Sequence, residues 1–183
     1  MAQTQEKTRA TTSSDKDNEL QALFYDTLKD IYFAEKQILK ALPKMAKAAQ
    51  ADELTEAFET HMEQTEGQIA RLEEVFDIIG KAARGKTCDA IMGIIEEGKG
   101  IMEDYKGSNA LDAGLLAAAQ AVEHYEISRY GTLKAWALKL GYDDAAALLD
   151  ETLTEEKETD ELLTTIAEGS INDEGTAKAK KKK

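Results

Sequence analysis

The chain has 183 residues and a formal net charge of −13. This length suits one domain with modest tails, and the acidic balance argues against nucleic acid as a partner, because phosphate binding needs a basic surface. Cys88 is the only cysteine, so no intramolecular disulfide can form, which favours a reducing compartment. Because neither a signal peptide nor a long uncharged apolar run is visible, we expect a cytoplasmic protein that does not span a membrane.

The composition predicts an all-helical domain between two tails. Ala, Leu, Glu and Lys dominate the sequence, and all four are strong helix formers. Residues 1–18 are rich in Thr, Gln, Ser and charged side chains, which predicts a disordered N-terminal tail. Residues 171–183 end in a lysine run and are predicted to be a second disordered tail. The folded domain is therefore predicted to cover residues 19–170.

The apolar periodicity predicts four long helices and one short one. The long helices cover residues 18–51, 52–80, 111–140 and 143–168, and the short helix covers 88–105 within the connection between the second and third. Gly169 is the predicted terminator of the last helix. Two helical hairpins joined by a long connection are typical of a ferritin-like four-helix bundle. We therefore predict that fold, with an additional short helix in the crossover.

Each long helix turns metal-capable side chains towards its own apolar face. We rotated each helix by about 100° per residue and took the groups near the centre of the apolar stripe. Lys and Arg are nearly absent from these faces, and buried carboxylates are costly unless they are paired or bound to a cation. An oxygen-rich ligand set with one imidazole suits iron or manganese. The sequence therefore predicts a site for two metal ions, with these candidate ligands: Glu35, His61, Glu123, Glu126, Glu156 and Asp160.

Each of these residues also has a simpler interpretation. A single glutamate on an apolar stripe is more often half-exposed, and a lone buried histidine is more often a hydrogen-bonded core residue. The convergence of all four helices favours metal binding. We further expect Thr65 and Gln68 to orient His61 by hydrogen bonds. Tyr130 is expected in the core and, one helical repeat from Glu123, is within reach of the site, and Glu97 either approaches the cluster or covers the bundle.

One stretch resembles a known family. The segment Gln-Ala-Val-Glu-His-Tyr-Glu-Ile-Ser-Arg-Tyr-Gly-Thr-Leu, residues 120–133, is similar to the YciF/YciE group of ferritin-like bacterial proteins. The resemblance covers roughly residues 19–170 and continues in segments 32–37, 61–72 and 153–157, together with Asp160. It implies a ferritin-like fold, a homodimer, a di-iron centre and an association with bacterial stress responses, and it places the same six residues at the metal. It supplies no settled activity.

The sequence departs from the better-understood relatives in one motif. Rubrerythrins and ferritins place Glu-x-x-His on two helices, and this chain has that motif nowhere. The third long helix has Glu123-x-x-Glu126 instead, and the second offers only His61. The motif therefore gives no ground for assigning to this chain the reactivity with oxygen or peroxide that rubrerythrins and ferritins have.

Three functions follow from these observations. The first is a di-iron or di-manganese protein that reacts with peroxide or oxygen under stress. No rubredoxin-like Cys-x-x-Cys is present, so the electron donor, which the sequence does not identify, is another protein or a small reductant. The second is metal storage without catalysis, and the third is a structural stress protein whose acids bind no metal.

We also predict a homodimer. The helix over residues 111–140 is apolar beyond what one bundle face requires, and the surplus around Trp136 and Leu140 is expected to pair two subunits. Light scattering at micromolar concentration checks this. A stable monomer would contradict the prediction, and a large cage would favour storage.

Overall fold

The protein is an all-helical bundle between residues 19 and 176, the part of the chain that the computed structural model describes. No strand occurs in this range. After its last long helix the chain continues through a π-helical turn, Ala167–Ile171. In chain order the α-helices are α1 (Glu19–Ala48), α2 (Asp52–Ile78), α3 (Asp89–Asp104), α4 (Leu111–Leu140), α5 (Asp143–Ile166) and the short α6 (Asn172–Gly175). The predicted all-α class is confirmed.

Four of these helices form the bundle, and the fifth covers one of its faces. α1 packs against α2 and α4, and α5 packs against α4 and α2, so α1 lies diagonally opposite α5. The crossover helix α3 packs on α4 and α1. Two antiparallel hairpins, α1–α2 and α4–α5, are therefore joined by a crossover that holds its own helix. This is the ferritin-like four-helix bundle with an additional helix that the sequence predicts.

The helix α4 has neighbours on several sides. It packs against α1, α3 and α5, and also against the π-helical turn and α6, which explains why its sequence is apolar on most sides. The contacts with α3 lie in the first half of α4, where Gly114 meets Ile101 and Ala118 faces Gly98. Trp136 and Leu140 are half-buried, whereas Leu138 is 52% exposed. The homodimer stays a prediction.

Two glycines are required by this packing. A Cβ atom at Gly114 would lie 2.7 Å from Cγ2 of Ile101, so α3 approaches α4 too closely for any larger residue. Gly141 adopts a positive φ of 77° at the end of α4, a conformation that costs other residues free energy. It closes the turn into α5.

Several helix ends differ from the prediction. The first helix ends at Ala48 instead of residue 51, and the second at Ile78 instead of residue 80. The predicted stop at Gly169 is wrong, because the π-helical turn passes through this glycine and Ile171, only 1% exposed, packs into the core. Part of the predicted C-terminal tail is therefore helical up to residue 175. The predicted disordered tails over residues 1–18 and 177–183 lie outside the described residues.

No helix in the described part of the chain combines the length and the apolar character that a membrane crossing requires.

Asp112 at the start of α4 binds the turn between α1 and α2. Its carboxylate, buried at the start of α4, accepts hydrogen bonds from the backbone amides of Gln50, at 2.9 and 3.1 Å, and of Ala51, at 2.8 Å. These amides precede α2 and have no partner within that helix. The contact fixes the start of α4 at the end of the bundle where α2 begins.

We predict that Asp112→Ala lowers the free energy of unfolding by about 2–3 kcal/mol, because it removes charged hydrogen bonds from two backbone amides. Urea denaturation followed by circular dichroism measures the loss. Asp104→Ala is the matched control, since Asp104 is exposed at the end of α3 and its side chain makes no hydrogen bond with the described residues. The control is expected to change stability by less than about 0.5 kcal/mol, and equal losses in the two variants would contradict the prediction.

Candidate metal centre

Five buried ionisable side chains meet in the middle of the bundle. The ligand atoms of four of them lie within 4.8 Å of one another, and Nε2 of the histidine is 3.3 Å from the nearest carboxylate oxygen. The fifth, Glu35, is close enough to affect the pKa of the other acids. All five are at most 4% exposed. They are Glu35 of α1, His61 of α2, Glu123 and Glu126 of α4, and Glu156 of α5.

The helical period explains how they converge. Glu123 and Glu126 are three residues apart, so both project from the same face of α4. Glu156 follows the buried Leu153 by three residues on α5, and His61 follows the buried Phe58 by three residues on α2. Each group therefore belongs to a core-facing stripe. Five of the six predicted ligands come together for this reason.

The sixth predicted ligand, Asp160, is not in the group of four whose ligand atoms meet, although its charge raises the pKa of Glu123. It is one helical turn beyond Glu156 and its side chain is 25% exposed. Its carboxylate contacts Nε2 of the exposed His124 at 3.2 Å and accepts a hydrogen bond from Gln120, also at 3.2 Å. Four residues leave a rotation of about 40° around the helix axis, so Asp160 points further from the centre of the core-facing stripe than Glu156 does. Glu97 is exposed on α3 and also lies outside the cluster.

Most of the polar atoms at the centre have no hydrogen-bond partner. Ten buried side-chain nitrogen and oxygen atoms lack one within the described residues, and eight of these ten belong to the five clustered side chains. An unpaired buried polar group costs about 1–3 kcal/mol. The eight atoms are Oε2 of Glu35, both ring nitrogens of His61, Oε2 of Glu123, and both carboxylate oxygens of Glu126 and of Glu156.

The protonation behaviour of the cluster is dominated by burial. Withdrawal from water raises the pKa of Glu35 to about 7 and that of Glu123 to about 8. The pKa values of Glu126 and Glu156 are also raised well above their usual range, by burial first and then by repulsion from neighbouring carboxylates. Burial lowers the pKa of His61 to about 4. The imidazole is therefore neutral at pH 7, which is its metal-binding form.

Tyr130 is a core residue, as expected, and it also contacts one member of the cluster. This tyrosine is fully buried, and its phenolic O–H donates to Oε1 of Glu35. Burial and the charges of Glu35 and Glu126 raise the pKa of Tyr130 well above its usual value, so the phenol keeps its proton. One oxygen of Glu35 is thereby occupied, and the other is free for a cation.

The nearest cationic side chains pair with acids outside the cluster. Arg71 on α2 forms an ion pair with Glu155 on α5 and donates to Oγ1 of Thr152 at 3.0 Å. Its charge lowers the pKa of Glu35, but less than burial raises it. Lys134 on α4 pairs with Asp150 at 2.6 Å. Within the described residues, no lysine or arginine forms an ion pair with the five clustered groups.

The predicted hydrogen bonds to the His61 ring are wrong. Oγ1 of Thr65 donates to the backbone carbonyl of His61 at 2.8 Å, which is an ordinary bond within a helix. Nε2 of Gln68 donates to Glu155 at 3.1 Å. The Arg71–Glu155 pair was missed by the sequence analysis. A signal existed, since Arg71 follows Gln68 by three residues and therefore projects from the same side of α2.

The fold and this centre define the class of protein: a ferritin-like four-helix bundle with a buried cluster of four glutamates and one histidine. The chain belongs to the family described as "Domain of unknown function (DUF892)", whose model matches residues 19–176. It is 45% identical over 162 residues to Protein YciF of Escherichia coli strain K12, a match that covers 87% of this chain and 97% of the relative. The family resemblance found in the sequence is confirmed.

Solved structures of relatives have the same architecture. The crystal structure of the Escherichia coli stress protein YciF superposes with a TM-score of 0.81 at 44% identity, covering 85% of this chain and 98% of that one. YcfI of Rhodopseudomonas palustris, described as a candidate structural protein, gives 0.78 at 44% identity, with 84% and 98% coverage. A Xanthomonas campestris protein gives 0.64 at 22% identity, which supports the fold alone.

We predict that the metal-free protein loses stability as the pH rises from about 6.5 to 8. In this window Glu35 and Glu123, with folded pKa values of about 7 and 8 against an ordinary 4.5, hold protons that the unfolded chain has released. A native state that binds more protons becomes less stable as the pH rises. The lowered pKa of His61 acts in the opposite direction, mostly below its ordinary value of 6.5, and is outweighed in this window by the two glutamates.

Urea denaturation of chelator-treated protein at several pH values measures this slope. Glu123→Gln removes one of the titrating groups and is expected to make the slope shallower. A free energy of unfolding that stays constant or rises between pH 6.5 and 8 would contradict the prediction.

Proposed function

We propose that this chain is a di-metal carboxylate protein, with iron as the first candidate and manganese as the second, which reacts with peroxide or oxygen in the cytoplasm during bacterial stress. The observation that carries the proposal is the set of eight buried, unpartnered ligand atoms on Glu35, His61, Glu123, Glu126 and Glu156. The link to stress rests on the relative from Escherichia coli, which is described as a stress protein.

The donor set fits two divalent ions. Four ionised carboxylates carry a charge of −4, which two divalent cations neutralise, and the arginine and lysine near the centre already pair with other acids. Ferritin-like di-iron sites use four glutamates and two histidines. This chain has the same number of glutamates and one histidine fewer, a set that suits iron or manganese.

Four of the five side chains form one group. Ligand atoms of His61, Glu123, Glu126 and Glu156 lie within 4.8 Å of one another. Glu35 is beside this group, since its charge raises the pKa of Glu126. These five side chains would hold and orient the two ions.

A bound pair of such ions supplies the electron transfer that oxygen or peroxide chemistry requires. The chain contributes the surroundings. Tyr130 donates a hydrogen bond to Glu35 and keeps that carboxylate in place, and the neutral ring of His61 offers a nitrogen lone pair. Burial of all five groups excludes bulk water from the centre. The electrons come from a separate donor, because the sequence contains a single cysteine and hence no Cys-x-x-Cys.

A structural role without metal is the second candidate. It is favoured by the relative from Rhodopseudomonas palustris, which is described as a candidate structural protein. A purely structural role does not explain, however, why four carboxylates are buried without cationic partners. Apolar residues of similar volume would stabilise a bundle better. Metal storage without catalysis is a third possibility and predicts metal binding without turnover.

We predict that the wild-type protein binds about two iron or manganese ions per chain after anaerobic loading, the stoichiometry of ferritin-like carboxylate bundles. Glu123→Gln preserves the size of the side chain and removes one charge, so metal affinity is expected to fall. The metal-free variant is expected to become more stable, since repulsion among buried carboxylates is relieved. Elemental analysis and the melting temperature of the metal-free protein give the two readouts.

Glu158→Gln is the matched control for this experiment, because Glu158 is exposed on α5 and forms no ion pair with any described residue. It is expected to leave metal content and stability unchanged. A Glu123→Gln variant with full metal occupancy and a less stable metal-free form would contradict the assignment. Two bound ions without any consumption of peroxide or oxygen would favour storage over catalysis.

A further inference from the structure

An apolar pocket runs from the surface of the bundle to the metal centre. It has a volume of about 200 Å³ and is lined mainly by α1, α3 and α4, with residues of α2 and α5 also contributing. Met45, Ile95, Met102 and Val122 are among the side chains that form its walls, and His61 and Glu123 line it as well. Since His61 and Glu123 are buried members of the cluster, the pocket ends at one side of that centre.

Small residues form part of the pocket wall. Gly98 of α3 packs closely on Ala118 of α4, since a Cβ atom at Gly98 would lie 3.7 Å from that of Ala118, an ordinary van der Waals distance. Ala41 of α1 and Ala119 of α4 also line the pocket. Larger residues at these positions would fill it. A dry apolar cavity of about 150 Å³ is large enough to hold benzene, so this pocket has room for a longer apolar group.

The charges of the lining residues differ between the two ends. Lys40, Lys44 and Lys99 line the pocket, although the chain as a whole carries a net charge of −13. Lys40 and Lys44 are exposed and Lys99 is half-buried. Lys99 pairs with Glu96 at 2.6 Å, whereas Lys40 and Lys44 form no ion pair with the described residues. Glu123 is the only acid among the lining residues, and it lies at the buried end. The entrance is therefore cationic and the walls are apolar.

We propose that this pocket binds a free medium-chain alkyl carboxylate. The alkyl chain fills the space between α1, α3 and α4, and the carboxylate lies at the entrance beside Lys40 and Lys44. The opposite orientation would bring two carboxylates together at Glu123 in a buried environment, which is unfavourable. The proposal deepens the proposed function, since the end of the alkyl chain lies against the His61–Glu123 side of the metal centre. Binding itself requires no metal.

Titration calorimetry of the full-length protein with decanoate, before and after removal of metal, tests the proposal. One saturable site per chain is expected, with butyrate binding at least tenfold more weakly because it leaves most of the pocket unfilled. The double variant Lys40→Glu/Lys44→Glu is expected to weaken decanoate binding at least tenfold and to leave 1-decanol binding within twofold. Lys47→Glu, on the same helix but outside the pocket, is the charge control and is expected to behave as wild type.

Two variants test the space itself. Ala118→Leu and Ala41→Leu place bulk into the pocket from different helices, and each is expected to weaken decanoate binding at least tenfold. Ala117→Leu is the matched control, because the neighbouring Ala117 is exposed and does not line the pocket. Circular dichroism and melting curves establish that every variant compared is folded.

Three outcomes would overturn the proposal: no saturable decanoate binding, unchanged binding in both folded leucine variants, or unchanged binding in the double lysine variant. The test of decanoate binding can fail or succeed independently of the test of metal binding. Decanoate binding by a protein that takes up no metal would support the pocket and overturn the metal centre, and metal uptake without decanoate binding would do the reverse.

Discussion

Four carboxylates and an imidazole withdrawn from water in the middle of the bundle are the constraint on which the rest of this structure depends. Such a cluster persists only if its acids are protonated or if cations neutralise them. Burial raises the pKa of Glu35 to about 7 and that of Glu123 to about 8. Near neutral pH these carboxyl groups can therefore either hold a proton or lose it to a bound cation. The metal-free protein therefore retains protons that a bound cation would displace.

The surroundings leave the cluster without a cationic partner from the chain. Arg71 pairs with Glu155 and Lys134 with Asp150, so the nearest positive side chains stabilise the outer parts of the α2–α5 and α4–α5 contacts. The hydrogen bond from Tyr130 satisfies one oxygen of Glu35 and leaves the second without a partner. In the proposed function, two divalent cations would supply the positive charge that the chain does not.

The two sides of the cluster differ, and the crossover helix is responsible. On one side Tyr130 closes the centre with a buried hydrogen bond. On the other, α3 covers α1 and α4 beside an apolar space that is lined in part by Gly98 and Ala118. If this pocket binds a ligand as proposed, its lysines and its apolar walls would select that ligand by charge and shape. The crossover would then have a functional role besides connecting the two hairpins.

The sequence by itself determined the helices and the direction of each ligand relative to its own helix, because the period of 3.6 residues places Glu35, His61 and Glu156 on apolar stripes. It did not determine how far each group lies along the bundle or which neighbour it meets. Asp160 was assigned to the site because it shares a face with Glu156, but it meets His124 nearer the surface. The Arg71–Glu155 pair, the Tyr130–Glu35 bond, the burial of Ile171 beyond Gly169 and the pocket under α3 all depend on contacts between helices. Only the tertiary structure decided these, since periodicity describes one helix at a time and carries no information about the offset between two.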